Sequence, residues 1–282
     1  MKFDGLSGFI QKLGSSLTSL VKVALMSKGG SASSNEGKDR ELVIMGNGPS
    51  LRTTIDNDFE WLVSHDLMAV NFAANSEEFF RLRPKYYILA DGHFFSSIQT
   101  DINVRKLWDN FSRVSWGMTL MIPVRFKHLV KPLLMNARDL KLRYFNLTPV
   151  EGFRWLNHLL FSAGLGMPRP RNVMIPAIIE GIRLGYGKIY ICGADHSWTK
   201  TLDVDNNNLV ISIQPHFYAD NESEHKRVRE TYKDLRLHDV LGSMVVAFRS
   251  YWEIAVYAKK KKVEIINATP GSMIDAFPRK IN

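Results

Sequence analysis

Residues 41–51, ELVIMGNGPSL, constrain the fold more than any other stretch of the chain. The apolar run at 42–45 has the composition of a buried parallel strand, and at Gly46 it meets a Gly-Asn-Gly-Pro-Ser turn. Gly46 and Gly48 let the backbone approach a ligand closely. Asn47 brings an amide that both donates and accepts, and Pro49 with Ser50 suits the start of a helix. A loop of this kind, at the carboxyl end of the first strand of an open α/β sheet, is where nucleotide phosphates sit. It is neither of the familiar phosphate motifs: GxGxxG fails at Leu51, and no Gly-Lys-Ser/Thr follows.

The same strand-to-polar-turn pattern recurs. Residues 67–71 (LMAVN) read as a second strand ending on Asn71, and residues 85–90 (KYYILA) as a third running into Asp91-Gly92-His93. A helix over 172–184 leads into a strand at 188–192 (KIYIC), which closes on Gly193-Ala194-Asp195-His196; a last strand at 263–267 precedes Pro270-Gly271-Ser272. This repetition predicts an α/β, Rossmann-like, mainly parallel sheet with helices on both faces, in which Asn47 and Asn71 converge on one ligand. TLDVD and LVISI flank Asn206-Asn207-Asn208, a hairpin signal inside an insertion that reads as a lid over 197–242. Residues 98–170 offer one strand, at 120–123. Their basic residues Arg125, Lys127 and Lys131 and the aromatic run from Phe153 read as amphipathic helix faces rather than a nucleic-acid module.

Composition adds a charge argument. Thirty-seven Lys and Arg against 28 Asp and Glu give a net charge of +9, which favours anionic partners. The single cysteine, Cys192, excludes an internal disulfide and suits a reducing, cytoplasmic compartment. Residues 1–26 place apolar side chains at helical spacing among lysines, an amphipathic helix too polar to span a bilayer. The Gly/Ser-rich residues 27–40 read as a flexible linker to a main domain at 41–282. The helix is open to three partners: the inner face of the cytoplasmic membrane, another subunit (including a homo-oligomer), or the main body itself.

Together these motifs resemble a known family. GNGPSL, the strand ending in Asn71, the helix into LGYGKIYICGAD, and a terminal strand followed by Pro-Gly-Ser occur in the order seen in the small bacterial sialyltransferases that use a CMP-activated sugar. Related proteins of pterin-diphosphokinase and flagellin-glycosylation type share the pattern. The resemblance covers roughly residues 41–275. It implies a glycosyltransferase of bacterial surface polysaccharide synthesis that needs no metal or other cofactor, with a nucleotide sugar as donor and a glycan or lipid-linked glycan as acceptor. By this resemblance Gly46 and Gly48 would form the donor's loop, and Asn47 and Asn71 would contact its phosphate and ribose; Pro49, Ser50, Asp195, His196 and Asn172, the last standing where the family has a serine, are further donor-site candidates. Two departures stand out. His196, Ser197 and Trp198 follow Asp195 where the family carries tyrosines, and the pre-helix pattern keeps His238 but has Gly242 in place of a second histidine.

Sugar transfer to a hydroxyl is helped about 10²- to 10⁴-fold by a general base. His238, His216, His196 and Asp91 are the candidates in that order, histidine coming first because its ordinary pKa is near 6.5. Two other readings stay open: a metal-dependent diphosphokinase using Asp91 and Asp195, and a non-catalytic nucleotide-sugar-binding protein.

Overall fold

The computed structural model describes residues 5–134, 137–212 and 235–280. The strands are β1 (Glu41–Met45), β2 (Asp66–Val70), β3 (Tyr86–Ile88), β4 (Met118–Pro123), β5 (Leu140–Phe145), β6 (Lys188–Cys192), β7 (Leu202–Val204), β8 (Val210–Ser212) and β9 (Glu264–Asn267). The helices are α1 (Gly5–Met26), α2 (Ser50–Asn57), α3 (Phe59–Val63), α4 (Glu77–Leu82), α5 (His93–Ser96), α6 (Ile102–Ser112), α7 (Lys127–Leu133), α8 (Arg154–Ser162), α9 (Met174–Arg183) and α10 (Leu237–Lys261).

Seven strands form one sheet in the order β5-β4-β3-β2-β1-β6-β9, and every pairing in it is parallel. β7 and β8 form a separate antiparallel hairpin around the Asn206–Asn208 turn, as the sequence predicts. Successive residues of β1 serve opposite cores, because side chains alternate across a strand. Leu42 and Ile44 join α8, α9 and α10 on one face, while Val43 and Met45 join α2, α3 and α6 on the other. The sheet is thus the α/β, Rossmann-like layer expected. The order of strand addition reverses between β1 and β6: β1 to β5 step outward on one side, and β6 returns to β1's free edge. That reversal opens a crevice at the carboxyl ends of β1 and β6.

Three expectations are corrected. The edge strand β5, LKLRYF, is absent from the sequence reading, since Lys141 and Arg143 interrupt its apolar residues, unlike the continuous apolar runs of the central strands. α10 begins at Leu237, so His238, placed before the last helix by the sequence pattern, stands in its first turn, and the helix takes in the last residues of the span read as a lid.

Residues 27–40 are also not a free tether. Asn146 exchanges hydrogen bonds with Lys28, accepting from its N–H at 3.0 Å and donating to its carbonyl at 2.9 Å. Arg143 and Arg183 donate to the carbonyls of Ala32 and Ser31, each at 2.7 Å, and both pair with the buried Glu180. The Ser31 and Ser34 N–H groups donate to Tyr144 and Arg183. Small polar residues give this segment backbone groups that the body must satisfy, and it does so with buried donors.

α1 packs back on the main body by its polar side. Ser19 Oγ donates to the Glu151 carbonyl and accepts from the Glu151 N–H, both at 2.8 Å, and Ser16 Oγ accepts from the Phe153 N–H at 2.9 Å. No helix among the described residues is long and apolar enough to cross a membrane.

Candidate active site

A cavity of about 600 Å³ lies in the crevice at the switch point, within the range of sites that enclose a small-molecule ligand. Its floor is the β1 turn, with Gly46, Asn47, Gly48 and Pro49; its sides are Val70 and Asn71, then Ala90, Asp91 and Gly92, then the Gly193–Trp198 turn, and residues 170–174. The strand ends picked out by the sequence pattern therefore do meet.

The two glycines of the first turn have a packing reason. A Cβ on Gly46 would stand 2.5 Å from the Gly193 carbonyl, and one on Gly48 would stand 1.9 Å from Asp195 Oδ2. The turns after β1 and β6 lie directly on one another, joined by the Gly48 N–H donating to the Gly193 carbonyl at 2.8 Å. Asp195 is taken up in this join: its carboxylate accepts from Ser50 Oγ at 2.8 Å and from the Ser50 N–H at 3.3 Å, which caps α2. The Pro-Gly-Ser turn after β9 buttresses the same place from below. Ser272 Oγ donates to the Ala194 carbonyl at 2.7 Å, and Thr269 Oγ1 accepts from the Ala194 N–H at 3.1 Å.

Two amides are left incomplete. Asn47 Nδ2 donates to the Val70 carbonyl at 3.2 Å, which fixes the orientation of the amide, and Asn47 Oδ1 is buried with no partner. Asn172 Oδ1 accepts from the Met174 N–H at 3.0 Å and from Tyr251 Oη at 2.9 Å, leaving Nδ2 buried with no partner. Both residues line the cavity. An unsatisfied buried polar atom costs about 1–3 kcal/mol, so two cavity-lining residues that each carry one, an acceptor on Asn47 and a donor on Asn172, are where a ligand's own groups would complete the set.

Tyr251 extends this set inward. Its one hydroxyl proton goes to Asn172, so at 2.6 Å it must accept from His196, and His196 is the Nε2–H tautomer. Burial pushes the His196 pKa down to about 3 and raises that of Tyr251, so both stay neutral. His196 adopts the left-handed region, φ +52°, and its ring lies 4.1 Å from that of Trp198. Trp198 joins Val210, Val240 and Met244 in a small core that fastens the hairpin to α10. A neutral, hydrogen-bonded His196 is a poor proton acceptor and a good rigid wall.

The cavity lining carries charge of both signs, Arg125 and Arg171 against Asp91 and Asp195. Arg125 and Arg171 are exposed lining residues, neither with an ion pair among the described residues. α9 aims its amino terminus at the cavity and adds a partial positive charge. Asp91 is the exposed acid at the edge, with one oxygen accepting from the His93 N–H at 2.9 Å. Asn71 lines the cavity in the left-handed conformation, φ +50°, which asparagine tolerates.

Of the other sequence candidates, His238 sits in the first turn of α10 with its side chain 83% exposed, 3.5 Å from Asp239, and is not among the cavity's lining residues. His216 and most of the lid lie outside the described residues. Among the described residues no group of three or more His, Cys, Asp and Glu converges, and the carboxylate pair Asp91 and Asp195 is split by the capping role of Asp195. Tyr251, Arg125 and Arg171 are missed by the sequence reading. Only Arg171 carried a signal, a cation directly before Asn172 and the start of α9.

No protein-family model matches the chain, and no curated protein sequence matches it. Among solved structures it is similar to the MAf glycosyltransferase from Magnetospirillum magneticum AMB-1, at 12% identity and a TM-score of 0.50. The match covers 95% of this chain, which spans 38% of the length of that protein. At this identity what the two share is the fold.

Proposed function

We propose that the chain is a glycosyltransferase that takes a nucleotide sugar in the switch-point cavity and transfers its sugar to a glycan or lipid-linked glycan hydroxyl. The observation that carries this reading is that Asn47 and Asn172, each with an unpartnered amide atom (Oδ1 and Nδ2), line one cavity. The first calls for a ligand donor such as a ribose hydroxyl or base amine, the second for an acceptor such as a phosphate oxygen. Arg125, Arg171 and the amino terminus of α9 supply positive charge for the phosphate that becomes the leaving group, so stabilisation of that anion falls to protein donors. Trp198 and His196 form an aromatic wall for the base or sugar.

The family resemblance points to CMP as the activating nucleotide and to a sialic-acid-like sugar, with the neighbouring fold of a glycosyltransferase in support. Asp91 takes the role of general base, because it is the cavity's open carboxylate and a proton acceptor at the edge is where an incoming hydroxyl arrives. The test is thermal unfolding against CMP, CDP, UDP, GDP and ATP, followed by turnover. A ligand at a hundred times its dissociation constant stabilises by about 2.7 kcal/mol, so CMP or CMP-sugar should raise Tm above the others. Asp91→Asn should then lower turnover by about 10²- to 10⁴-fold while leaving nucleotide binding in place. A chain stabilised by no nucleotide would end the reading, and a fully active Asp91→Asn would return the base to His238 or His216.

A further inference from the structure

α1 is built inside out. Its two buried residues are Ser16 and Ser19, whereas Leu6, Phe9, Leu13, Leu17, Leu20 and Leu25 are between 43% and 78% exposed. A helix on a water-facing surface turns its leucines inward. Here the orientation is held by three serine-to-backbone hydrogen bonds with residues 151–153, and Gly152 makes room for it. A Cβ on Gly152 would stand 2.2 Å from Ser16 Oγ, and the residue's φ of +125° suits only glycine. Rolling α1 to bury its leucines would break all three bonds.

The apolar face continues past α1. The Phe9 and Phe153 rings are 5.5 Å apart, and α8, which follows Phe153, exposes Trp155 and Leu159 one turn apart, at 64% and 60%. Cations surround it. Residues 5–26 contain Lys12 and Lys22 and no acid, Lys28 follows, and Arg154 opens α8. Lys260 and Lys261, at the end of α10, lie close enough to α8 to act on His158, and Lys22 and Arg249 both act on Glu151, whose carboxylate is already paired with Arg169 at 2.7 Å.

From this placement we infer that α1 and the outer face of α8 form a docking surface for an anionic lipid bilayer, with the leucine stripe entering the headgroup boundary and the lysines resting on the acidic surface. A basic set ringing leucines, with a tryptophan at the edge, is the composition of an interfacial helix. A second copy of the chain is the wrong occupant: a two-fold contact would set Lys12, Lys22 and Arg154 against the same residues of the partner copy, like charge on like. Glycan transfer plays no part in this inference, so it stands or falls separately from the reading of the cavity.

The test is co-sedimentation of the full chain with phosphatidylcholine vesicles and with vesicles of equal parts phosphatidylcholine and phosphatidylglycerol, at low and high salt. The chain should pellet with the anionic vesicles at low salt, and bind neutral ones at least about tenfold more weakly, as loss of a few lysine-to-lipid attractions requires. The Leu13→Glu/Leu17→Glu double variant should lose vesicle binding and keep the parent's Tm; Leu17→Ser is the milder substitute if the double variant does not fold. Three outcomes would overturn the inference: no pelleting of the parent with anionic vesicles, pelleting of either variant at the parent's level, or a vesicle-free parent dimer that the same substitutions dissociate.

Discussion

α9 and α1 are both rich in apolar residues, and their fates are opposite. α9 buries all ten of its residues, whereas α1 buries two serines and leaves its leucines outside. α9 lies across the sheet between β1 and β6, where Leu42 and Ile189 crowd Gly181 so closely that no larger residue fits without displacement. α1 meets a loop whose backbone groups needed partners, and serine hydroxyls supplied them. The contrast shows that apolar content alone does not decide burial. What the neighbouring surface offers, apolar side chains or unsatisfied N–H and C=O groups, selects the face that packs.

The largest expected effect lies in α9. Glu180 accepts from Arg183 at 2.6 Å and from Arg143 at 3.3 Å, all three buried. Glu180→Gln leaves two buried guanidinium groups short of an anion and should destabilise by about 3–5 kcal/mol in urea unfolding. A loss of less than about 1 kcal/mol would mean that this group is wetter than its burial indicates, and the contrast with α1 would weaken.

The pH dependence comes next. His196 is held neutral in the fold, with its pKa pushed down to about 3, while the unfolded chain binds a proton below about 6.5. The unfolded state therefore gains protons first as pH falls. This contribution to stability is intact above about pH 6.5 and is lost progressively toward pH 3, amounting to roughly 2–3 kcal/mol by pH 4.5. His196→Phe should remove this component, so the difference between parent and variant stability should change by that amount between pH 7 and 4.5. A constant difference would contradict the buried neutral ring. Carboxylates elsewhere titrate in both proteins and cancel.

A smaller effect, on binding, is expected where α9 begins. Asn172→Ala removes the amide that joins Tyr251 to the cavity and should weaken nucleotide binding by about 1–3 kcal/mol, read by calorimetry. Unchanged affinity in a folded variant would separate the start of α9 from ligand recognition. Smallest of all, Leu17→Ala in α1 should shift stability by no more than about 0.5 kcal/mol, as for an exposed surface site. A loss of 2 kcal/mol or more would show that α1's leucines are covered in solution.

Much of the sheet is legible in the sequence. Apolar runs that end at Met45, Val70, Ala90 and Cys192 and give way to polar turns mark central parallel strands, because such strands are buried on both faces and read as continuous apolar stretches. Asn47 and Asn71 could be paired from strand order alone, and both line the cavity. β5 escapes this rule because Lys141 and Arg143 interrupt its apolar run, and at the sheet edge Leu140, Leu142 and Tyr144 are only partly buried. The tertiary structure decided everything that depends on donors and acceptors far apart in the chain. Asp195 caps α2 across 145 positions, Ser19 holds Glu151 across 132, and Tyr251 reaches Asn172 across 79. Periodicity is a local property and survives in the sequence. Whether a given amide or carboxylate is already satisfied depends on which distant group the fold brings to it, and so the two open amides of the cavity exist only in the folded chain.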